Sequence, residues 1–134
     1  MDFFLYATII FVVLFVAFQV YMQTIGHFKK GKKISNIPPD LLRKIERHPQ
    51  TLLYFYTPKC SACRTMNPLI GRLSQKFPNI IKIDLLEETE LGRIFGILGT
   101  PTIVLMERTT IRYFGVGVRK EAFLRSLLQK GISS

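Results

Sequence analysis

The chain has two cysteines, and they lie three positions apart in the stretch Cys60-Ser61-Ala62-Cys63. If a helix begins at Cys60, the unpaired backbone N–H groups and the helix dipole favour a thiolate there. A thiolate attacks disulfides, and a second thiol one turn away can resolve the mixed disulfide that forms. The same spacing also supplies half of a zinc site, so the motif alone leaves both chemistries open.

A structural zinc site would need two further ligands. The candidates are His27, His48 and an acid such as Asp84. His27 follows a long apolar segment and His48 precedes Pro49 in a predicted turn, so we expect neither to lie near the motif. The sequence therefore favours thiol chemistry, and no metal site is predicted.

The N-terminal segment is apolar enough to cross a membrane. Residues 3–22 read FFLYATIIFVVLFVAFQVYM and contain no Asp, Glu, Lys, Arg or His. Twenty helical residues span about 30 Å, the thickness of the hydrocarbon core of a bilayer. A cleaved signal peptide and a buried core helix are the alternatives. The short n-region, the length of the run and its apolar character on every side favour a retained anchor over residues 1–25.

Positive charge is concentrated after this segment. The net charge is +10, and all 19 Lys and Arg residues follow the apolar run. Four of them, Lys29, Lys30, Lys32 and Lys33, lie in a predicted basic linker over residues 26–36. This cluster is either a solvated linker or a patch that contacts anionic lipid. No aromatic-basic pattern or known motif accompanies it, so nucleic-acid binding is not predicted.

The remainder of the chain alternates helix and strand signals in the order αβαβαββα. The segment TLLYFYT is apolar on both alternating faces, which predicts a strand buried on both sides of a sheet. Pro68 lies inside the helix after the motif and predicts a kink there. The predicted helices cover residues 41–48, 62–77, 87–95 and 120–130, and the predicted strands cover 51–57, 80–84, 101–106 and 111–114.

This order, with C-x-x-C at the first strand-to-helix turn, resembles the thioredoxin superfamily. Pro68 lies five residues after Cys63, and Gly99-Thr100-Pro101-Thr102 is similar to the family's loop that ends in a cis-proline. The terminal segment YFGVGVRKEAFLRSLL is similar to the family's last strand and helix. The resemblance covers about residues 37–131. It implies an α/β thioredoxin-like fold, a mixed four-stranded sheet flanked by helices, over residues 37–134 after one transmembrane helix.

The resemblance also implies roles for individual residues. Cys60 is the expected nucleophile and Cys63 the buried resolving thiol. Pro101 is expected to be cis and to lie beside the disulfide, where the backbone of Thr100 pairs with an extended substrate segment. The expected partners are protein thiol or disulfide substrates and a protein that recycles the cysteine pair. No organic cofactor is expected, because the cysteine pair carries the redox equivalent.

Several residues depart from the family pattern. Lys59 replaces a Trp before the first cysteine. Its charge and that of Arg64 either lower the pKa of Cys60 or are simply solvated. Tyr54 stands where the family holds a buried acid that assists proton transfer from the resolving thiol, and Ile80 replaces that acid's lysine partner. We expect Tyr54 to pack in the core. The family's first strand is missing, and the linker and anchor stand in its place.

Two functions are consistent with these features. The favoured one is a membrane-anchored thiol–disulfide oxidoreductase, and the alternative is a redox-inactive binding module with the same fold. The lysine cluster predicts a cytoplasm-facing domain by the positive-inside rule. An extracytoplasmic domain is the alternative, because many single-span thioredoxin-like proteins work outside the cytoplasm.

Overall fold

A computed structural model describes residues 1–132, apart from the side chains of residues 25, 26, 131 and 132. The last two residues of the predicted domain, 133 and 134, lie outside this range. The helices are α1 (Asp2–Lys29), α2 (Pro39–Glu46), α3 (Ser61–Lys76), α4 (Thr89–Phe95) and α5 (Glu121–Ile132). The strands are β1 (Thr51–Tyr56), β2 (Ile80–Asp84), β3 (Thr102–Glu107) and β4 (Thr110–Val116).

The strands form one mixed sheet in the order β2-β1-β3-β4. β1 pairs with β2 in parallel and with β3 antiparallel, and β3 pairs antiparallel with β4. This arrangement confirms the predicted thioredoxin-like α/β fold. α3 connects the two parallel strands β1 and β2. The cysteine motif at the start of α3 therefore lies at the end of the sheet where β1 stops.

Both faces of the sheet are covered, as the apolar β1 sequence predicts. Leu52 and Tyr54 face a core built with α3 and α5, whereas Leu53 and Phe55 face a second core that includes residues of α2 and α4. All four side chains are fully buried. Alternate residues of a strand point to opposite faces, so a strand with two covered faces has no polar side.

The bounds of α2, α3, α4 and α5 differ from the predicted ones by at most two residues. α4 begins at Thr89 rather than at Glu87. The reason is a turn in which the backbone N–H groups of Glu87 and Glu88 both donate to the Asp84 carbonyl. α3 continues through Pro68 to Lys76, and the predicted kink stays a prediction.

α1 is a helix of 28 residues and is the one described helix that is long and apolar enough to cross a membrane. None of its most apolar 18-residue window is buried against the rest of the described chain. The helix runs to Lys29, four residues past the predicted end of the anchor at residue 25.

Part of the predicted basic linker over residues 26–36 pairs with the sheet. The Gly31 N–H donates to the Ile111 carbonyl at 2.7 Å, and the Ile111 N–H donates back to the Lys32 carbonyl at 2.9 Å. Ile34 then donates to the Thr109 carbonyl at 2.8 Å, and its side chain is buried, as is that of Ile37. The buried side chains of Ile34 and Ile37, together with backbone pairing to the free edge of β4, hold this segment against the sheet.

Candidate redox site

The Cys60–Cys63 motif follows β1 at the end of the sheet. After Tyr56 the chain turns, and the Cys60 N–H donates to the Thr57 carbonyl at 3.3 Å. Cys60 has extended backbone angles (φ −77°, ψ 117°) and caps α3, which begins at Ser61. The predicted placement of the first cysteine at a helix N-terminus is therefore confirmed.

The two cysteines form a disulfide, with their Cα atoms 5.2 Å apart. The Cys60 Sγ also accepts a hydrogen bond of 3.1 Å from the Cys63 backbone N–H. Cys60 is half-buried, whereas Cys63 is fully buried. Solvent and a substrate can therefore reach Cys60 but not Cys63. When the pair is reduced, the same N–H and the helix N-terminus favour a thiolate at Cys60.

Pro101 lies at the same end of the sheet as the motif. The Thr100–Pro101 peptide bond is cis, as the resemblance implied. Thr102 is the register partner of Phe55, so the residues just before β3 lie where the chain leaves β1 for Cys60. The Pro101 carbonyl accepts the Gly117 N–H at 2.8 Å, which ties this loop to the end of β4. The roles of Thr100 and Pro101 in substrate binding stay predictions.

The two basic residues that flank the motif are exposed. Lys59 precedes the half-buried Cys60, and Arg64 lies in the first turn of α3. Both side chains face solvent, so water screens the effect of their charges on the thiol. The predicted influence of Lys59 on the pKa of Cys60 stays a prediction.

Tyr54 is a core residue, as predicted, and it has a polar partner that the sequence did not reveal. Its hydroxyl donates to the Asn67 Oδ1 at 2.7 Å, and its ring stacks on Tyr56 with 5.5 Å between centroids. Burial, with a smaller contribution from Tyr56, raises the pKa of Tyr54 to about 12. The hydroxyl therefore stays protonated near neutral pH and cannot act as a base. Asn67 lies one turn after Cys63 on α3, and this spacing was the available signal.

The described residues offer no substitute for the family's buried acid. The buried polar side chains among them are Thr51, Asn79 and Thr102, and none is acidic. They also include no group of three or more His, Cys, Asp or Glu side chains that could hold a metal ion. Proton transfer from Cys63 thus lacks a neighbouring buried carboxylate in this part of the chain.

These features define a class of protein: an α/β domain with an accessible cysteine at a helix N-terminus, bonded to a buried one, beside a cis-proline. The Thioredoxin family model matches residues 40–130, which is more than half of the chain, and the chain belongs to this family.

Relatives and solved structures agree with this assignment. The chain is 27% identical to the thioredoxin of Bacillus subtilis over 79 residues, which cover 57% of this chain and 76% of that protein. It is 30% identical over 87 residues to NADPH-dependent thioredoxin reductase 3 of Arabidopsis thaliana, with 60% of this chain and 16% of that protein covered. The chain therefore spans only about a sixth of the plant protein.

Among solved structures, a mutant thioredoxin of Halobacterium salinarum superposes with a TM-score of 0.64 at 25% identity. The match covers 71% of this chain and 85% of that one. The uncovered part of this chain is large enough to contain α1, whose 28 residues precede the family match.

Proposed function

We propose that this protein is a membrane-anchored thiol–disulfide oxidoreductase that acts on protein substrates through Cys60 and Cys63. The observation that carries the proposal is the asymmetry of the pair. Cys60 is accessible, caps α3 and accepts the Cys63 N–H, whereas Cys63 is buried one turn further along. A purely structural disulfide needs neither the helix N-terminus nor an accessible sulfur.

The reaction follows from this asymmetry. In the reduced protein, the Cys60 thiolate attacks one sulfur of a substrate disulfide, which forms a mixed disulfide and releases the other substrate sulfur as a thiolate. The Cys63 thiolate then attacks the Cys60 Sγ. The Cys60–Cys63 disulfide forms, the second substrate thiolate leaves, and two electrons have passed to the substrate. An external dithiol must re-reduce the pair. The same steps in reverse oxidise a substrate dithiol.

Substrate docking is assigned to the loop before β3. The Thr100 backbone lies at the end of the sheet from which the motif emerges, and it is half-buried rather than covered. An extended substrate segment that pairs with this backbone would gain affinity from main-chain hydrogen bonds. Such pairing would bring the substrate disulfide to Cys60 without a requirement for particular substrate side chains.

Membrane attachment is assigned to α1. Its apolar residues are exposed along the helix, and burial in lipid would remove this surface from water. The Lys29–Lys33 cluster begins at the last residue of the helix, so in an anchored protein it can contact anionic headgroups. By the positive-inside rule, this cluster favours a cytoplasmic position for the thioredoxin domain, with the extracytoplasmic position as the alternative.

The exchange chemistry can be tested by trapping substrates in native membranes. In full-length Cys63→Ser, the mixed disulfide on Cys60 cannot be resolved, so acid-quenched samples should show covalent adducts on non-reducing gels. Mass spectrometry identifies the captured proteins. The matched control is the Cys60→Ser, Cys63→Ser double variant, which should capture nothing. A folded Cys63→Ser variant without adducts above this control would support the redox-inactive binding module instead.

Attachment and orientation have separate tests. Leu14→Arg places a charge in the middle of α1 and should release the protein from membranes at alkaline pH, whereas Leu86→Arg, at an exposed position of the domain, should not. Because the chain has only two cysteines, a membrane-impermeant thiol reagent reports the side on which the motif lies. Labelling of the reduced protein in intact cells would place the domain outside the cytoplasm and contradict the charge-based orientation.

A further inference from the structure

A cleft of about 650 Å³ separates the last third of α1 from β4 and the segment that follows it. Neither cysteine lines this cleft, and neither does Pro101. The thiol chemistry therefore does not account for it. The cleft begins where the apolar part of α1 ends, so in a membrane-anchored protein it opens at the boundary between lipid and water.

The charged side chains that line the cleft are all basic. Lys29 and Lys30 come from the end of α1, and Arg119 comes from the segment after β4. No Asp or Glu is among the described lining residues. Three basic groups without a neighbouring acid make a site that attracts an anion.

The same cleft has polar and apolar surfaces that suit an amphiphile. Gln19, Gln23 and His27 recur at four-residue steps on α1, so they lie on one face of the helix, and that face lines the cleft. Met22 of the helix and the highly exposed Leu98 of the sheet side supply apolar contact. The otherwise apolar α1 thus carries hydrogen-bonding groups on the face that borders the domain.

Arg119 is held in position rather than free in solvent. Its Nε donates to the Tyr113 hydroxyl at 2.9 Å, and its Nη1 donates to the Val118 carbonyl at 3.1 Å. Gly115 leaves room for this pair, because a Cβ there would clash with the Tyr113 hydroxyl and would lie 3.0 Å from the Arg119 Nη2. A planar guanidinium held at Nε and Nη1 can present the N–H groups of Nη2 to a phosphate.

Lys29 has a different role at the back of the cleft. Its Nζ donates to the Gly96 carbonyl and lies 4.2 Å from the centroid of the Phe114 ring. These contacts already occupy its ammonium group. Arg119 and the exposed Lys30 are therefore the groups that can meet an incoming anion.

We propose that this cleft binds the headgroup of an anionic phospholipid from the membrane that holds α1. Arg119 contacts the phosphate, the polar face of α1 contacts the rest of the headgroup, and Met22 and Leu98 contact the start of the acyl chains. The inference rests on the membrane attachment in the proposed function. It goes beyond a general attraction of the lysine cluster to lipid, because it assigns one lipid to one site that includes a residue of the sheet side.

The test is native mass spectrometry of the full-length protein in neutral detergent micelles, titrated with dimyristoyl phosphatidylglycerol or with dimyristoyl phosphatidylcholine. We expect one phosphatidylglycerol per chain. Phosphatidylcholine has the same phosphate but adds a quaternary ammonium that the basic lining residues repel, so it should bind markedly more weakly. Arg119→Gln should weaken phosphatidylglycerol binding about tenfold or more, the effect of one charge-assisted hydrogen bond.

Lys33→Gln is the matched control. It removes the same charge from the lysine cluster, and Lys33 is exposed and outside the cleft. It should change binding less than about twofold, because Lys33 makes no contact inside the cleft and the general attraction of an exposed charge to anionic headgroups is screened by salt. Tyr113→Phe keeps the ring but removes the hydroxyl that positions Arg119, and it should weaken binding by an intermediate factor.

Three outcomes would overturn the proposal. One is equal binding of the two lipids, and another is an equal loss in Arg119→Gln and Lys33→Gln, which would indicate a diffuse basic patch. If Arg119→Gln does not fold, Tyr113→Phe decides, and unchanged binding in that variant overturns the proposal. Substrate trapping and alkaline extraction are measured on the same proteins. If trapping and extraction are normal but the protein binds the two lipids equally, the cleft site is rejected and the proposed function is not affected.

Discussion

The motif end of the domain and its junction with α1 are held together by different kinds of contact. At the motif, the defining hydrogen bonds join residues three positions apart, Thr57 with Cys60 and Cys60 with Cys63. At the junction, Lys29 reaches Gly96, 67 positions away, and Gly31 pairs with Ile111. The local contacts keep the chemistry of the family, whereas the distant ones give this chain a fixed connection to an apolar helix.

This difference predicts that the chemistry and the attachment can be broken separately. A change at the motif should remove turnover and leave the junction intact. A change at the junction should reduce the stability of the folded chain and leave turnover nearly intact. The predictions below test this separation in order of decreasing effect.

The largest effect is expected from Cys60→Ser. Without the attacking sulfur, turnover of a peptide disulfide by the full-length protein should fall by at least about a thousandfold. The unfolding transition of the reduced proteins should hardly change, since the hydroxyl can still cap α3. Ser61→Ala, at an exposed motif position, is the control and should retain turnover. Substantial turnover in Cys60→Ser would exclude Cys60 as the nucleophile.

Lys29→Met tests the junction. It keeps an unbranched side chain but removes the hydrogen bond to the Gly96 carbonyl and the contact with the Phe114 ring. We expect the free energy of unfolding to fall by about 2 kcal/mol, measured by circular dichroism in urea with detergent present. Turnover should stay within about twofold.

Lys32→Met is the control for this prediction, because Lys32 is exposed and contributes to β4 pairing through its backbone. If both variants lose the same free energy, the effect belongs to the net charge of the cluster. The contacts of Lys29 with Gly96 and Phe114 would then add no stability beyond the charge of the cluster.

Tyr54→Phe tests whether the buried hydroxyl is structural or catalytic. Loss of its hydrogen bond to Asn67 should cost about 1 kcal/mol of unfolding free energy. Because the hydroxyl stays protonated at neutral pH, turnover should change less than about threefold. A loss of turnover much larger than this, with stability nearly unchanged, would assign Tyr54 a direct part in proton transfer.

The same residue predicts a pH dependence. The pKa of Tyr54 is raised to about 12 from its usual value of 10, so the folded state favours the protonated hydroxyl. Its contribution to stability is fully present below pH 10 and is lost as the pH rises through 12. Between these values the wild type should lose free energy of unfolding relative to Tyr54→Phe. Tyrosinate absorbance in the near ultraviolet should show one fewer late-titrating group in the variant.

The sequence predicted the motif end better than the junction, for a physical reason. A buried strand, a C-x-x-C and a Gly-Thr-Pro-Thr segment are local patterns, and each fixes backbone geometry within a few residues. The pairing of residues 31–34 with β4 depends on Ile34 and on an open strand edge that adjoins it only in the fold. Composition alone therefore indicated a linker. The partner of Tyr54 was missed similarly, because the four-residue spacing places Asn67 on the same face of α3 as Cys63 but does not reveal that this face meets the Tyr54 hydroxyl.

The smallest effect is expected from Lys59. The test is whether this exposed charge lowers the pKa of Cys60 beyond the effect of the helix N-terminus. In a Cys63→Ser background only the Cys60 thiol titrates, so its pKa follows from the pH dependence of iodoacetamide alkylation. Lys59→Gln should raise that pKa at low salt, because it removes a positive charge beside the thiolate. Alkylation below the pKa should then slow by about two- to threefold, the scale of an exposed ion pair.

Salt and a neighbouring charge distinguish this effect from a change in local structure. Because Lys59 is exposed, the difference should nearly vanish in about 1 M salt, where the screening length is about 3 Å. Arg64→Gln is the matched control, since it removes an exposed charge from the other side of the motif. If Lys59→Gln does not change the pKa of Cys60 at low salt, the helix N-terminus and the Cys63 N–H alone set the acidity of Cys60. The motif end would then depend only on local backbone contacts.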